Sequence, residues 1–251
     1  SSSALTVAGV LAVGHMAGRQ IPIDSLAHLA FEAEVTEFGE SGGMMDHFAS
    51  SYGGLIHIEF DEEMSVTRLP AAPEGIVIGD SLEKKEDTVG DLRYIRETVE
   101  SEYSKLAKSI PGFNQRRTDL NLVLELSQET VDGPRRMAET TLMNRNLTRR
   151  ALALLRLKNP DPATLGEMIS EHHKYLRDGL NRSTDKIEKL IEVSMDSGAL
   201  GCKINGSGGG GTMMAYAPGR ENEVAAAMRK AGGKPYIVKV GTGATLTTID
   251  D

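Results

Sequence analysis

The chain has no tryptophan and one cysteine, and aromatic residues make up only 4% of its 251 positions. A core must therefore be built from Leu, Ile, Val, Met and Ala. Cys202 cannot close an intrachain disulfide, which points to a reducing compartment and a cytoplasmic location. It reads as a small buried hydrophobe and not as a nucleophile. Basic residues are also scarce: 28 Lys and Arg face 36 Asp and Glu, for a formal net charge of -8. That balance argues against nucleic acid or an anionic membrane as the main partner, because such binding rests on cations neutralising phosphates. A small phosphorylated ligand held by backbone amides remains compatible with it. No apolar run is long enough to span a bilayer. The opening "SSSALTVAGVLAVGHMAG" lacks the basic residues that begin a signal peptide. With no initiator Met and serines directly ahead of an apolar helix, the expectation is a fragment lacking its true N-terminus.

The remaining composition, 39% hydrophobic and 25% charged, suits one large globular domain or two modest ones. Residues 4–16 are apolar on nearly every face and read as a buried helix. Pro22, Asp24 and Ser25 open a second helix through about Glu37. A glycine turn follows, then a short helix carrying Asp46 that stops at Gly53-Gly54. "LIHIEF" and "SVTRLP" form a hairpin pattern, and 74–81 reads as a buried strand. Leu92, Ile95, Val99, Tyr103 and Leu106 recur at helical spacing. From 116 to 197 the pattern is mostly helical, with Pro160 and Pro162 separating two helices. The tail reads as strand (212–217), helix (221–231), strand (235–240) and a last strand (244–249). This order implies an α+β fold with two lobes.

Three segments could carry chemistry. "GCKINGSGGGGTMMAYA" holds four consecutive glycines between two strand candidates. Glycines there mean positive φ or close backbone approach, and successive free amides can form an anion nest. A phosphate-facing loop and a plain glycine hairpin fit these residues equally. Ser1, Ser2 and Ser3 precede a helix, where hydroxyls and amides either cap it or receive a phosphate. In "AEVTEFGESGGMMDHF", Asp46 begins a helix whose N-terminus favours a negative charge. Such a carboxylate can orient a substrate hydroxyl for attack on phosphorus, and Glu34 can hold Mg²⁺. The alternative is that Asp46 caps its helix and Glu34 is solvated. "EHH" at 171–173 lacks zinc-binding spacing, and no nucleophile elbow is present. His47, next to Asp46, faces away from it on a helix.

Taken together and in this order, the segments resemble the GHMP kinases. "SSSALTVAG" is similar to the later part of that family's second motif, and "GCKINGSGGGG" to its third. The resemblance covers essentially the whole chain. Within the family, "AEVTEFGESGGMMDHF" runs without a gap against the galactokinase segment that holds two carboxylates, placing Glu34 and Asp46 on them. "EHHKYLRDGLNRSTDKIEKLIEVS" is similar to the galactokinase helix pair, with Tyr175, Leu176, Arg177 and Asp178 on its Ser-Leu-Arg-Asp pattern.

The resemblance implies a two-lobed GHMP-kinase fold. A truncated N-terminal domain would span 1–70, and a C-terminal domain with a ferredoxin-like α+β lobe would span 71–251. It implies ATP and Mg²⁺ as cofactors and transfer of the γ-phosphate to a sugar hydroxyl. Ser1, Ser2 and Ser3 would meet ATP phosphates, with Ser2 and Glu34 at Mg²⁺. Asp46 would be the base or orienter. Gly206, Ser207, Gly208, Gly209 and Gly210 would line the cleft by the transferred phosphate. Several positions depart from the pattern: His47 replaces Gln, Ser41 a common Pro and Asn205 a Thr. Leu92, with Tyr94 nearby, stands where a sugar-contacting Tyr is common. The galactokinase signature near the N-terminus is absent. Another alcohol, of mevalonate or heptose type, is the second enzyme reading. A sensor that binds ATP and sugar without turnover is the third.

Overall fold

The computed structural model describes residues 2–39, 43–60, 64–85, 88–126 and 132–247, the side chains of 88 and 89 apart. Ser1 and Ser41 lie outside this set. Two compact units form: 1–73 with 240–251, and 74–239.

In the first unit, helix α1 (Ser2–Met16) packs on α2 (Ile23–Phe31), which also packs on α3 (Met45–Tyr52). Two faces of α2 do this work. Leu26 and Ala30, one turn apart, close on Val7 of α1, whereas Ala27 closes on Phe48 and Tyr52 of α3. After Phe31 the helix widens into a π-helical turn, Glu32–Thr36. Strands β1 (Leu55–Phe60) and β2 (Met64–Leu69) pair antiparallel, from Leu55 opposite Leu69 to Phe60 opposite Met64. Ile56, Ile58, Met64 and Val66 pack on the α3 cluster, so the alternating hydrophobic pattern sets the register.

Two expectations change here. α1 is helical as its sequence implies, but only Ser3, Val7 and Gly14 are buried, while Leu5, Val13 and Met16 are exposed. A helix apolar all round offers two small partners only one stripe to cover. Residues 244–247 form no strand; this tail packs in the first unit, whereas the sequence reading ran the second domain to 251. The Gly54 amide donates to Gly241 O at 2.8 Å and the Ala244 amide to Ser51 O at 3.0 Å. Gly53 and Gly243 both have positive φ, and a Cβ on Gly53 would stand 2.0 Å from the Gly243 nitrogen. Only glycine permits that approach.

The second unit is built on a four-stranded antiparallel sheet in the order β4-β5-β3-β6. The strands are β3 (Ile76–Asp80), β4 (Gly201–Ile204), β5 (Thr212–Tyr216) and β6 (Lys234–Val238). With α8 (Asp185–Asp196) after β3 and α9 (Glu221–Lys230) after β5, this is the ferredoxin-like β-α-β-β-α-β arrangement. Thr184 caps α8 by accepting from the Ile187 amide. Ile187 and Leu190 of α8, and Val224 and Met228 of α9, bury against Val77, Ile204, Met213 and Ala215. Cys202 belongs to this core at 1% exposure, and burial pushes its thiol up to about 12, so it is an inert hydrophobe.

Between β3 and β4 run α4 (Thr88–Ser109), α5 (Leu120–Glu125), α6 (Gly133–Leu155) and α7 (Pro162–Lys174). Asp161 caps α7 with Pro162 in its first turn, which explains why the Pro160–Pro162 stretch separates α6 from α7. Leu106 of α4 and Ile110 just beyond its end pack on Val123 and Leu142 in a second core.

Candidate active-site residues

In the first unit, the first turn of α1 meets the end of α2. Glu34 lies in the π-helical turn, where the extra residue per turn re-aims a side chain. Its carboxyl is held below the usual carboxylate range, first by a hydrogen bond from Ser2 and then by His47 and Ser3, against an opposing desolvation cost. His47 Nε2–H donates to Glu34 Oε2 at 2.7 Å, with the histidine 1% exposed and the Glu34 side chain 20% exposed. Phe31 packs edge-on against the His47 ring with centroids 5.6 Å apart. Two adjacent serines and a histidine more than forty positions later thus converge on one carboxylate.

His47 is the residue that sequence reasoning missed. Its proximity to Asp46 drew attention, yet α3 turns the two apart: Asp46 is exposed in the first turn while His47 is buried and faces Glu34. The signal was the thirteen-residue separation from Glu34, which no helical period links because a turn intervenes. His47 Nδ1 and Ser51 Oγ are buried without a partner among the described residues.

The oxygen donors gathered here suit a hard cation. Glu34 supplies a carboxylate and Ser2 and Ser3 hydroxyls, whereas no group of three or more His, Cys, Asp or Glu that could hold a metal occurs among the described residues. Mg²⁺ is bound this way, through one or two carboxylates with water and substrate phosphates completing the shell. A separate groove of about 720 Å³ along α1, bounded by Ala4, Leu11, Gly54 and Leu246, has no ionisable side chain in its lining.

In the second unit, residues 205–211 join β4 to β5. Asn205 closes the hairpin: its amide donates to Thr212 O at 2.9 Å and its Nδ2 to Thr212 Oγ1 at 3.3 Å. The Asn where the family pattern has Thr is therefore a hairpin clasp. Gly206, Gly208, Gly209, Gly210 and Gly211 all have positive φ, and Ser207 alone does not. Within 206–211, only the Gly209 amide reaches a backbone carbonyl among the described residues, that of Arg182 at 2.9 Å. The loop is thus an ordered turn on a sheet and not a linker. Arg177 and Asp178, in the π-helical turn Tyr175–Gly179 after α7, pair with each other and Arg177 with Glu188, which ties that turn to α8. Leu92 and Tyr94 are both exposed on α4.

Two family models match the chain. The model for the GHMP kinases N terminal domain matches residues 1–54, and that for GHMP kinases C terminal matches 151–234. Together they cover more than half of the chain. The chain belongs to the GHMP kinase family. This GHMP kinase chain is 29% identical over 241 residues to the mevalonate kinase of Pyrococcus horikoshii, covering 96% of the chain and 62% of that protein. It is 27% identical over 240 residues to the galactokinase of Mycobacterium bovis, covering 92% of the chain and 64% of that protein. The chain therefore spans less than two thirds of these relatives. Among solved structures, a Lactococcus lactis galactokinase complexed with galactose superposes with a TM-score of 0.79 at 17% identity, over 98% of this chain and 66% of that one. A mevalonate kinase superposes with a TM-score of 0.62 at 16% identity, over 91% and 60%. Identities this low establish the two-lobed fold class and not the substrate.

Proposed function

We propose that the full protein is a small-molecule kinase that transfers the γ-phosphate of ATP to a hydroxyl, with a sugar as the first reading of the acceptor. The observation that carries this is the convergence of Ser2, Ser3 and His47 on Glu34. A low-pKa carboxylate flanked by hydroxyls at a helix N-terminus is a place for a nucleotide-bound cation. Glu34, Ser2 and Ser3 would hold Mg²⁺, which when bound neutralises charge on the transferred phosphoryl group. His47 fixes the rotamer of Glu34 by donating to one oxygen, as a buried outer partner of a metal ligand does. Asp46, exposed at the start of α3, accepts the acceptor hydroxyl's hydrogen bond and aims its oxygen at phosphorus. Ser1 would add a further phosphate contact. Gly206, Ser207, Gly208 and Gly210 offer backbone donors to phosphate oxygens, which need no reorganisation as charge shifts; the Gly209 amide, expected among them, is instead spent on the Arg182 carbonyl and fixes the loop.

A mevalonate-type acceptor is the second reading, favoured by the 29% identity to mevalonate kinases over nearly the whole chain. The gapless galactokinase-like segment around Glu34 and Asp46 favours the sugar. An ATP-consumption assay on the full-length protein with galactose, other hexoses, a heptose and mevalonate separates them. Turnover with a sugar and none with mevalonate supports the first reading, and the reverse establishes the second. Tight binding of ATP and sugar with no phosphoryl transfer makes the protein a sensor.

A further inference from the structure

Within 206–211 one residue has a side chain, Ser207, and two basic side chains converge on it. Lys85 Nζ donates to Ser207 Oγ at 3.2 Å, and Arg182 Nε donates to Ser207 O at 2.7 Å. Arg182 grips the loop a second time, since its own carbonyl accepts the Gly209 amide. A Cβ on Gly208 would stand 2.5 Å from that carbonyl oxygen, so the loop backbone lies directly on Arg182.

Arg182 is 8% exposed, and its charge is only partly compensated. Nη1 pairs with Asp91 at 2.8 Å, but the Asp91 side chain is 48% exposed and so shares its charge with water. Nη2 is buried and has no hydrogen-bond partner among the described residues. It points at Gly209, where a Cβ would stand 3.0 Å from it. Glu83, the carboxylate beside Gly210, is already engaged by the Thr184 hydroxyl at 2.6 Å. A buried guanidinium nitrogen without an acceptor is costly, and a bound anion is one partner that would offset the cost. Lys85 is exposed on the other side of Ser207.

We propose that Lys85 and Arg182 make the loop an anion site for phosphate or polyphosphate. Lys85 is the phosphate-binding residue, exchanging its Ser207 contact for a charge-assisted bond to a phosphate oxygen. Arg182 is a positioning residue that holds the loop at two points and places positive charge under its amides. This locates the charge that a chain of net -8 needs if it is to bind a polyanion. The inference deepens the kinase reading and rests on it for the nature of the anion.

The test is calorimetric titration of the full-length protein with sodium tripolyphosphate, and separately with adenosine. Lys85→Met weakens tripolyphosphate about tenfold and leaves adenosine unchanged. Lys189→Met, which removes an equal charge from an exposed site on α8, changes neither. Arg182→Lys keeps a charge but loses the fork, so it weakens tripolyphosphate and speeds amide exchange across 206–211. Absence of tripolyphosphate binding in the wild type, or equal affinity in the wild type and Lys85→Met, overturns the proposal. Wild-type affinity in Arg182→Lys removes the positioning role, and the Lys85 arm decides even where an Arg182 variant fails to fold. A Lys85-dependent tripolyphosphate site in a protein that phosphorylates no acceptor sustains the inference and removes the kinase reading. Turnover with no Lys85 dependence does the reverse.

Discussion

Glu34 is the carboxylate on which Ser2, Ser3 and His47 converge, and its pH response follows from these partners. Its pKa is lowered in the fold, so its contribution to stability is complete above the unfolded value near 4.5 and disappears as pH falls through the lower folded value. Glu34→Gln should therefore flatten the acid limb of the stability profile below that point, as read by urea melts between pH 2.5 and 6. An unchanged acid limb would mean that the Ser2 and His47 contacts do not hold in solution. His47 gives a second handle. Gln, which the galactokinase pattern places there, also carries an N–H donor and so can hold Glu34. We expect His47→Leu to raise the Mg²⁺ concentration for half-saturation about tenfold, and His47→Gln to restore most of the affinity. Equal loss in both variants would make His47 a packing residue only. Glu34 and Asp46 could be proposed from the sequence because they sit in one gapless motif. His47, Lys85 and Arg182 were not, because what gives each a role is a distant partner: Lys85 meets Ser207 across 122 residues, and Arg182 meets Asp91 across 91.

At the scale of elements, the glycine hairpin shows what local pattern can and cannot supply. Its flanking strands and positive-φ glycines follow from residue type, since β-branched or larger residues cannot take those angles cheaply. What lies beneath it does not follow, and that changes which glycine is informative. Gly208→Ala drives a Cβ against the Arg182 carbonyl at positive φ, so backbone must move, at a cost of about 2 kcal/mol or more. Gly209→Ala meets only the tip of the Arg182 side chain, 3.0 Å away and not backbone, and costs about 1 kcal/mol. Denaturant melts should rank the two in that order, with Gly209→Ala losing phosphate affinity out of proportion to its stability. The opposite ranking would contradict the packing of the loop on Arg182. α1 shows the reverse failure: its helicity was legible from composition, but burial depends on neighbours, and here only one stripe has them.

At the scale of the whole molecule, the two units were foreseen as an α+β pair, and the order of strands in the second follows a known β-α-β-β-α-β plan. The return of 240–247 to the first unit was not foreseen, because "GTGAT" has no hydrophobic period and its place is set by backbone contact. Gly243 has φ of 91°, and a Cβ there would stand 2.5 Å from Ser51 O. Gly243→Val should therefore weaken the first unit by about 2–3 kcal/mol. Native-state hydrogen exchange should quicken in α1, α2 and α3 while the β3–β6 sheet keeps its protection. Equal loosening of both units would contradict the division of the chain.

The central proposal is that the full protein transfers a phosphoryl group with Asp46 orienting the acceptor. Its most direct test is Asp46→Asn in the full-length protein, with product formation and ATP affinity measured side by side. The account predicts a fall in turnover of about 10² to 10⁴ with ATP affinity unchanged. Turnover near the wild-type rate in that variant would contradict it.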